Sequence, residues 1–240
     1  MGRFTFNTIT SLSLLVASLF ATWTILSKSN FLYAQIYQLN DLATHIEKYA
    51  PQNRNKDNFE LTNQVEHVRL FSEISRSVNS GGNGLEDIAY YANNQKIDTL
   101  LTEAEISHLQ DVSNLVMPLK KFGLWVSLAA ISAIAICFWY KEVRQKYMYR
   151  PMSVLSSLVG VIGLFSLITV MVVITGPQKV FYIIHEILFE DKAQWFFYFQ
   201  DSLMTTLMPE IVFANIAVLI ATSSAIIWLL SLILVKKLLE

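Results

Sequence analysis

Residues 211–235 read IVFANIAVLIATSSAIIWLLSLILV, 25 consecutive positions without an Asp, Glu, Lys or Arg. A helix of about 20 apolar residues crosses the roughly 30 Å hydrocarbon core of a bilayer, so this stretch is long enough to span one. Three more charge-free runs precede it, Phe4–Ser27, Phe122–Tyr140 and Pro151–Gln178, of 24, 19 and 28 residues. The four runs hold 96 of the 240 residues, and all 37 charged residues fall in the other 144. About a quarter of that remainder is charged, the density of an ordinary soluble surface. The mean hydropathy of +0.42 therefore reflects segregation of apolar from charged residues along the chain. That pattern excludes a soluble enzyme, a disordered chain, a repeat solenoid and a nucleic-acid binder. The expected fold is a mainly α membrane protein with four transmembrane helices, at 4–28, 122–140, 152–175 and 211–235, and a small extracytoplasmic cap.

Orientation follows from the charges between the runs. Arg3, residues 141–150 and Lys236 to Glu240 sum to +5, whereas Lys28 to Lys121 carries 9 positive and 12 negative charges and Lys179 to Glu210 carries 2 and 5. Basic segments stay in the cytoplasm. Both termini and the 141–150 loop are therefore expected inside, with 29–118 and 176–210 outside. Cys137, the single cysteine, falls within the second run, so no intramolecular disulfide is available to the outward regions. Leu32-Tyr33-Ala34 loosely resembles a signal-peptide cleavage site, but an uncharged run of 24 is long for a signal core, and the first run is read as a retained span.

Within 29–118, Asn40 followed by Leu42, Ile46 and Tyr49 predicts a short capped helix ended by Pro51. Leu61, Val65, Val68, Phe71, Ile74 and Val78 recur at three and four, which predicts one apolar helical face over 58–78. Ser80-Gly81-Gly82-Asn83-Gly84 breaks the chain. Residues 85–93 can restart a helix, and Lys96 to Leu101 suits either a turn or a strand, so the cap is α, or α+β if that stretch is a strand. Thr102-x-x-Glu105 is a capping box that starts a helix running down to the membrane. The second outward segment, 176–210, opens with Gly176-Pro177 and packs thirteen large apolar residues between Val180 and Phe199. Such a stretch belongs at the headgroup level, as an interfacial or re-entrant segment or as a simple aromatic anchor.

Four histidines lie in the outward segments. His45 and His67 are placed on polar, exposed helices and given no role. Glu105, His108 and Asp111 follow at three-residue spacing and so share a helix face. A neighbouring carboxylate can fix an imidazole tautomer and raise its basicity, which is what a general base requires. The same spacing also describes a plain solvated face. His185 stands in an apolar setting close to the outer leaflet, where a titratable side chain is costly and usually functional. Convergence of His108 and His185 from the two loops is the sharp expectation. Metal readings are incomplete: Glu105-x-x-His108 has no second Glu-x-x-His partner, and His185-Glu186 lacks a histidine at position 189. A site built from both histidines and Asp111 stays open.

Four spans, a large outward loop ending in Glu105-Ile106-Ser107-His108-Leu109-Gln110-Asp111-Val112, and a second outward motif of Phe181, His185, Phe189, Asp191, Trp195, Asp201, Leu203 and Pro209-Glu210 together resemble the Lit family of lipoprotein intramolecular transacylases. The resemblance implies a bacterial multi-pass protein of the cytoplasmic membrane whose active site faces outward. Its substrate would be the diacylglyceryl-modified amino terminus of a lipoprotein, and its product the N-acylated lyso-form. It implies that His108 and His185 are catalytic, with Asp111 and Glu105 orienting them and Asp191, Trp195 and Asp201 positioning substrate. No cofactor or metal is expected, and the partners are the lipoprotein and membrane lipid, not nucleic acid, with the chain a monomer. Two other classes compete. One is a non-catalytic sensor or assembly partner with an outward binding cap. The other is a small transporter, which ranks last because the spans hold no Asp, Glu, Lys, Arg or His.

Overall fold

The computed structural model describes residues 2–140, 142–143, 154–189 and 195–239. The chain divides into two units. One comprises Met1–Ile25, Leu119–Pro177 and Val218–Glu240, and the other Leu26–Pro118 with Gln178–Ala217. The expected 141–150 loop and the first two residues of the 152–175 span lie almost wholly outside the described residues.

The first unit is helical. Among the described residues, α1 (Gly2–Lys28), α5 (Glu103–Trp139) and α9 (Glu210–Leu239) contain stretches long and apolar enough to cross a membrane. The uncharged α6 (Val154–Thr175) supplies a fourth candidate where its Phe165–Thr175 part is counted with Gln178–Leu188, bent from it by 101°, as one broken span. Helices suit a bilayer because every backbone group inside the hydrocarbon is bonded within its own segment. Large apolar side chains such as Trp125, Ile131, Val173 and Leu230 stay exposed on these helices, as lipid-facing residues should. Packing is local and specific. The Trp228 Nε1–H donates to the Ser11 carbonyl at 3.0 Å, joining α9 to α1, and Leu14, Trp228 and Val235 form a buried cluster with Ile134 against it. On α5, a Cβ at Gly123 would come within 2.8 Å of Phe20, so glycine is what lets α1 approach α5 there.

The second unit holds α2 (Tyr33–Leu39), α3 (Leu42–Tyr49), α4 (Gln64–Val78), a hairpin of β1 (Ala89–Ala92) and β2 (Gln95–Thr99), the first turns of α5, α7 (Pro177–Leu188) and α8 (Leu203–Leu207). Its core is aromatic. Tyr33 is fully buried, stacks on Phe71 at 4.1 Å and donates its hydroxyl to the Leu207 carbonyl at 2.7 Å. Phe59, Leu70, Tyr90, Leu100 and Leu203 fill the space around it. The expected helix at 42–49 forms, but Asp41 precedes it and Asn40 bonds back to Ile36. The expected 58–78 helix begins later, because Asn58 adopts φ +62 and Asn63 caps α4 by accepting the Glu66 N–H. Leu61 and Val65 are consequently exposed, and His67, Leu70, Phe71, Ile74 and Val78 form the inward face.

Residues 85–93 do not restart a helix. Asn93 and Asn94 both take positive φ, 51° and 63°, which is the turn that lets a two-residue connection follow the twist of its strands. The hairpin closes across them, and the cap is α+β. His67 is also not exposed: at 3% accessibility it is among the most buried side chains of the cap. His45 is half-buried beside Tyr49, 4.7 Å from its ring.

Candidate active site

Two helix starts and one helix body build the site. The capping box at the head of α5 forms as expected, with Glu105 Oε2 accepting from the Thr102 N–H at 2.6 Å and from its hydroxyl at 2.8 Å. This fixes the first turn of α5, and His108 follows one turn on. The charge-free part of α5 begins at Phe122 beyond Lys120 and Lys121, so His108 belongs to the charged part of that helix that precedes it. On the other side, Gly176 takes φ +89 and lets the chain leave α6 for α7. Phe181, His185 and Phe189 recur every fourth residue and share one side of the α7 segment. Ile183, Ile184, Ile187 and Leu188 are exposed on the other.

The structure brings His108 and His185 together, with ring centroids 6.2 Å apart. Phe189 lies edge-on to His108 at 5.0 Å, and the Phe197 ring is tilted by 54° against it at 6.0 Å. Phe181 sits 3.9 Å and Trp195 5.1 Å from the His185 ring. His185 Nδ1 lies 2.8 Å from the Phe181 carbonyl. A carbonyl only accepts, so Nδ1 carries the proton and Nε2 of the neutral ring is left with its lone pair. His108 is 8% exposed, and its buried Nδ1 makes no hydrogen bond among the described residues. Burial, reinforced by the neighbouring His185, pushes the His108 pKa down to about 4, with Asp111 acting in the opposite sense. The ring is therefore neutral at physiological pH.

The expected carboxylate partners behave differently from their spacing. Asp111 influences His108 through space, and no hydrogen bond joins them among the described residues. Glu105 is fully buried and turned away from the imidazole, its second oxygen accepting the Ser202 hydroxyl at 2.5 Å. Asp201 is on the surface, paired with Arg54 at 3.5 Å. Trp195 packs on His185 and Tyr182. Asp191 lies outside the described residues. Also among the described residues, no three His, Cys, Asp or Glu side chains are grouped to hold a metal.

Sequence reasoning passed over Phe197 and Ser202 as parts of the site. Ser202 did carry a signal, as an N-cap three residues before Thr205, whose N–H it accepts at 2.9 Å. The opposite face of α5 is held by the end of α4. Ser113 donates to the Val78 carbonyl at 2.8 Å and Gln110 to the Gly81 carbonyl at 3.1 Å. The Gln110 amide lies over Gly82, where φ is +83 and a Cβ would overlap it. Two cavities lie away from the histidines. A polar one of about 330 Å³ is lined by Glu73, Arg76 and Asp87, and an apolar one of about 640 Å³ by Phe165, Val170, Thr222 and Ile226.

A comparison with curated protein sequences finds no match. Among solved structures, the chain is similar to the in meso structure of the membrane-integral lipoprotein intramolecular transacylase Lit from Bacillus cereus, determined as a histidine-to-arginine variant. The TM-score is 0.63 at 13% identity, over 98% of this chain and 91% of that one, which is a likeness of fold. The model of the family Lit, lipoprotein intramolecular transacylase, matches residues 6–213. With a fold of that kind and a family match over most of its length, this membrane protein belongs to the Lit family.

Proposed function

We propose that this chain transfers an acyl group within a lipoprotein, from the glyceryl ester of its diacylglyceryl-cysteine to the α-amine of that same cysteine, releasing the lyso-form. The observation that carries the reading is the pair of imidazoles 6.2 Å apart inside an aromatic enclosure. Such a wall accommodates acyl chains and excludes water, which would otherwise compete as nucleophile.

The amine attacks the ester carbonyl, a C–N bond forms and the carbonyl oxygen becomes an oxyanion. The attacking nitrogen gains positive charge and its N–H becomes acidic as the bond forms. His108, kept neutral by burial, takes that proton, and its Nδ1, without a partner among the described residues, marks it as a ring whose hydrogen bonding they do not complete. Collapse breaks the ester C–O bond. The glyceryl oxygen leaves with the proton that His108 took, passed on through Nε2 of His185, whose tautomer and orientation the Phe181 carbonyl fixes. Proton and acyl group both balance: one ester and one amine become one amide and one hydroxyl. Both ends belong to one molecule, so the encounter is already intramolecular.

The reaction would take place on the outer face of a bacterial cytoplasmic membrane, with both termini inside, as the charge distribution requires. The exposed Ile183, Ile184, Ile187 and Leu188 side of α7 then rests in the outer leaflet. A cysteine placed at Ser80 should react with an impermeant reagent added to intact cells and one at Gln145 should not; the reverse pattern would overturn the orientation.

The function itself is tested by mass spectrometry of a lipoprotein amino terminus coexpressed with the wild type, His108→Ala, His185→Ala or the double variant. The wild type should yield the lyso-form and all three variants the diacylglyceryl form. Because the two rings act as a unit, the double variant should be no worse than either single one. Normal lyso-form from a single variant would remove that histidine from the mechanism.

A further inference from the structure

We propose that Ser202 is a positioning residue for this reaction: tied to Glu105 on the His108 helix, it holds the Phe197 side chain against the His108 ring. The inference rests on the transacylase reading above and adds to it a residue outside both histidine motifs.

The geometry forms a closed circuit. Glu105 is one helical turn before His108, and its Oε1 accepts the Ser202 hydroxyl at 2.5 Å. Ser202 Oγ in turn accepts from the Thr205 N–H at 2.9 Å and the Thr205 hydroxyl at 3.0 Å. With one bond donated and two accepted, the hydroxyl has no hydrogen-bonding capacity left. The single Thr205 hydroxyl proton is shared between Ser202 Oγ and the more distant Phe197 carbonyl at 3.4 Å, and the Phe197 ring closes the circuit on His108 at 6.0 Å. Glu105 is 0% and Ser202 1% exposed, so water does not compete for the central bond.

Residues 195–202 have no regular structure of their own before α8, so their position is set by what they are tied to. On the surface, the Arg54 N–H donates to the Gln200 carbonyl at 2.7 Å and Asn55 to the Asp201 carbonyl at 3.1 Å. Those ties join the segment to the 53–55 loop. Among the described residues, the Ser202–Glu105 bond is the hydrogen bond that refers it to the helix that carries His108. Loss of that bond would let Phe197 drift and water reach the imidazole. The charged groups around His108 would stay in place: Asp111 on its own helix, His185 on α7, Glu105 facing Thr102, and Asp201 paired outward with Arg54.

The test uses full-length protein in detergent and a diacylglyceryl-modified lipopeptide, with lyso-product formation followed from pH 3 to 8. Ser202→Ala should slow the reaction about tenfold at neutral pH, the order of loss expected from a displaced wall beside a reacting group. Its acid-side half-point should rise by about one pH unit as the hydrated imidazole becomes easier to protonate. Ser202→Thr, which keeps the hydroxyl, should restore most of the rate. Ser202→Asp can still cap α8 but has no proton for Glu105, and it should remain as slow as Ala. A wild-type rate for the Asp variant would reduce Ser202 to a helix cap and overturn the proposal. Phe197→Ala should reproduce both effects of Ser202→Ala, and the double variant should be no slower than Phe197→Ala; factors that multiply would also overturn it. These last arms stand even if the Asp variant does not fold. Wild-type protein that makes no lyso-product would remove the transacylase reading itself, whereas an active wild type with an unaltered Ser202→Ala profile would remove this inference alone.

Discussion

The second unit contains two buried histidines with the same lowered basicity and different surroundings. His67 is 3% exposed and His108 8%, and burial pushes both rings down to about 4. Around His67 every polar atom is used. The Thr62 hydroxyl gives its proton to the Phe59 carbonyl at 2.5 Å, so it must accept the His67 Nε2–H at 2.6 Å, and the Tyr37 hydroxyl then donates to Nδ1 at 2.9 Å. Around His108 one buried ring nitrogen has no partner among the described residues, and a second imidazole faces it. Burial and pKa therefore do not separate the two; the count of satisfied ring nitrogens does. His67 completes a core, whereas His108 is incomplete until something else arrives.

The largest effect that bears on this contrast is the activity of His108→Ala, which should fall by about 10²-fold or more, with thermal stability unchanged or raised because an unsatisfied buried group is removed. A marked loss of stability would mean that His108, too, serves the fold. The mirror experiment is His67→Ala. It strands the Tyr37 hydroxyl and the Thr62 oxygen, so unfolding should become easier by about 2–4 kcal/mol, while turnover per folded molecule stays within about twofold. A defect in turnover with intact stability would place His67 in the chemistry.

A weaker but more diagnostic effect lies in pH. A ring whose folded pKa lies below its unfolded value near 6.5 contributes its full stability above about pH 6.5 and loses it as pH falls toward 4. Melting temperature should therefore decline over that window, and less steeply in His67→Gln. Equal slopes would show that His67 does not titrate with folding. The smallest effect expected is that of Asp111→Asn. Its carboxylate acts on His108 only through space, so the rate should change by about threefold, short of the roughly 10²-fold loss that a true hydrogen-bonded partner would cause. A loss of that larger size would show that Asp111 swings onto the ring during reaction.

What the sequence disclosed and what it withheld follow the range of the interactions. The four charge-free runs and the Thr102-x-x-Glu105 box depend on residues within one turn or one span of each other, and both were legible. The meeting of His108 with His185 was legible as well, because two motifs that flank membrane runs on the same side have little room to lie apart. The burial of His67 was not, since Tyr37 and Thr62 approach it from other elements and its own helix reads as polar. Glu105 was misjudged for a related reason. Helical spacing says which residues share a face but not which partner claims a carboxylate, and Ser202, 97 positions away, claims this one. The hairpin was half legible: its second strand falls in the stretch that suits either strand or turn, whereas the first reads as helix, because the Asn93-Asn94 turn lacks the glycine that usually signals such a connection.

Gly82 illustrates what that range means for inheritance of the site. It touches no histidine, yet any side chain there would have to adopt a left-handed backbone and displace the Gln110 amide from the helix that carries His108. In a population of random variants selected only for making lyso-lipoprotein, Gly82 would be purged about as firmly as an imidazole. Tolerance at a position would then report where the protein is crowded as readily as where it is reactive. Only a screen that scores folding and turnover separately could tell the crowded positions from the chemical ones.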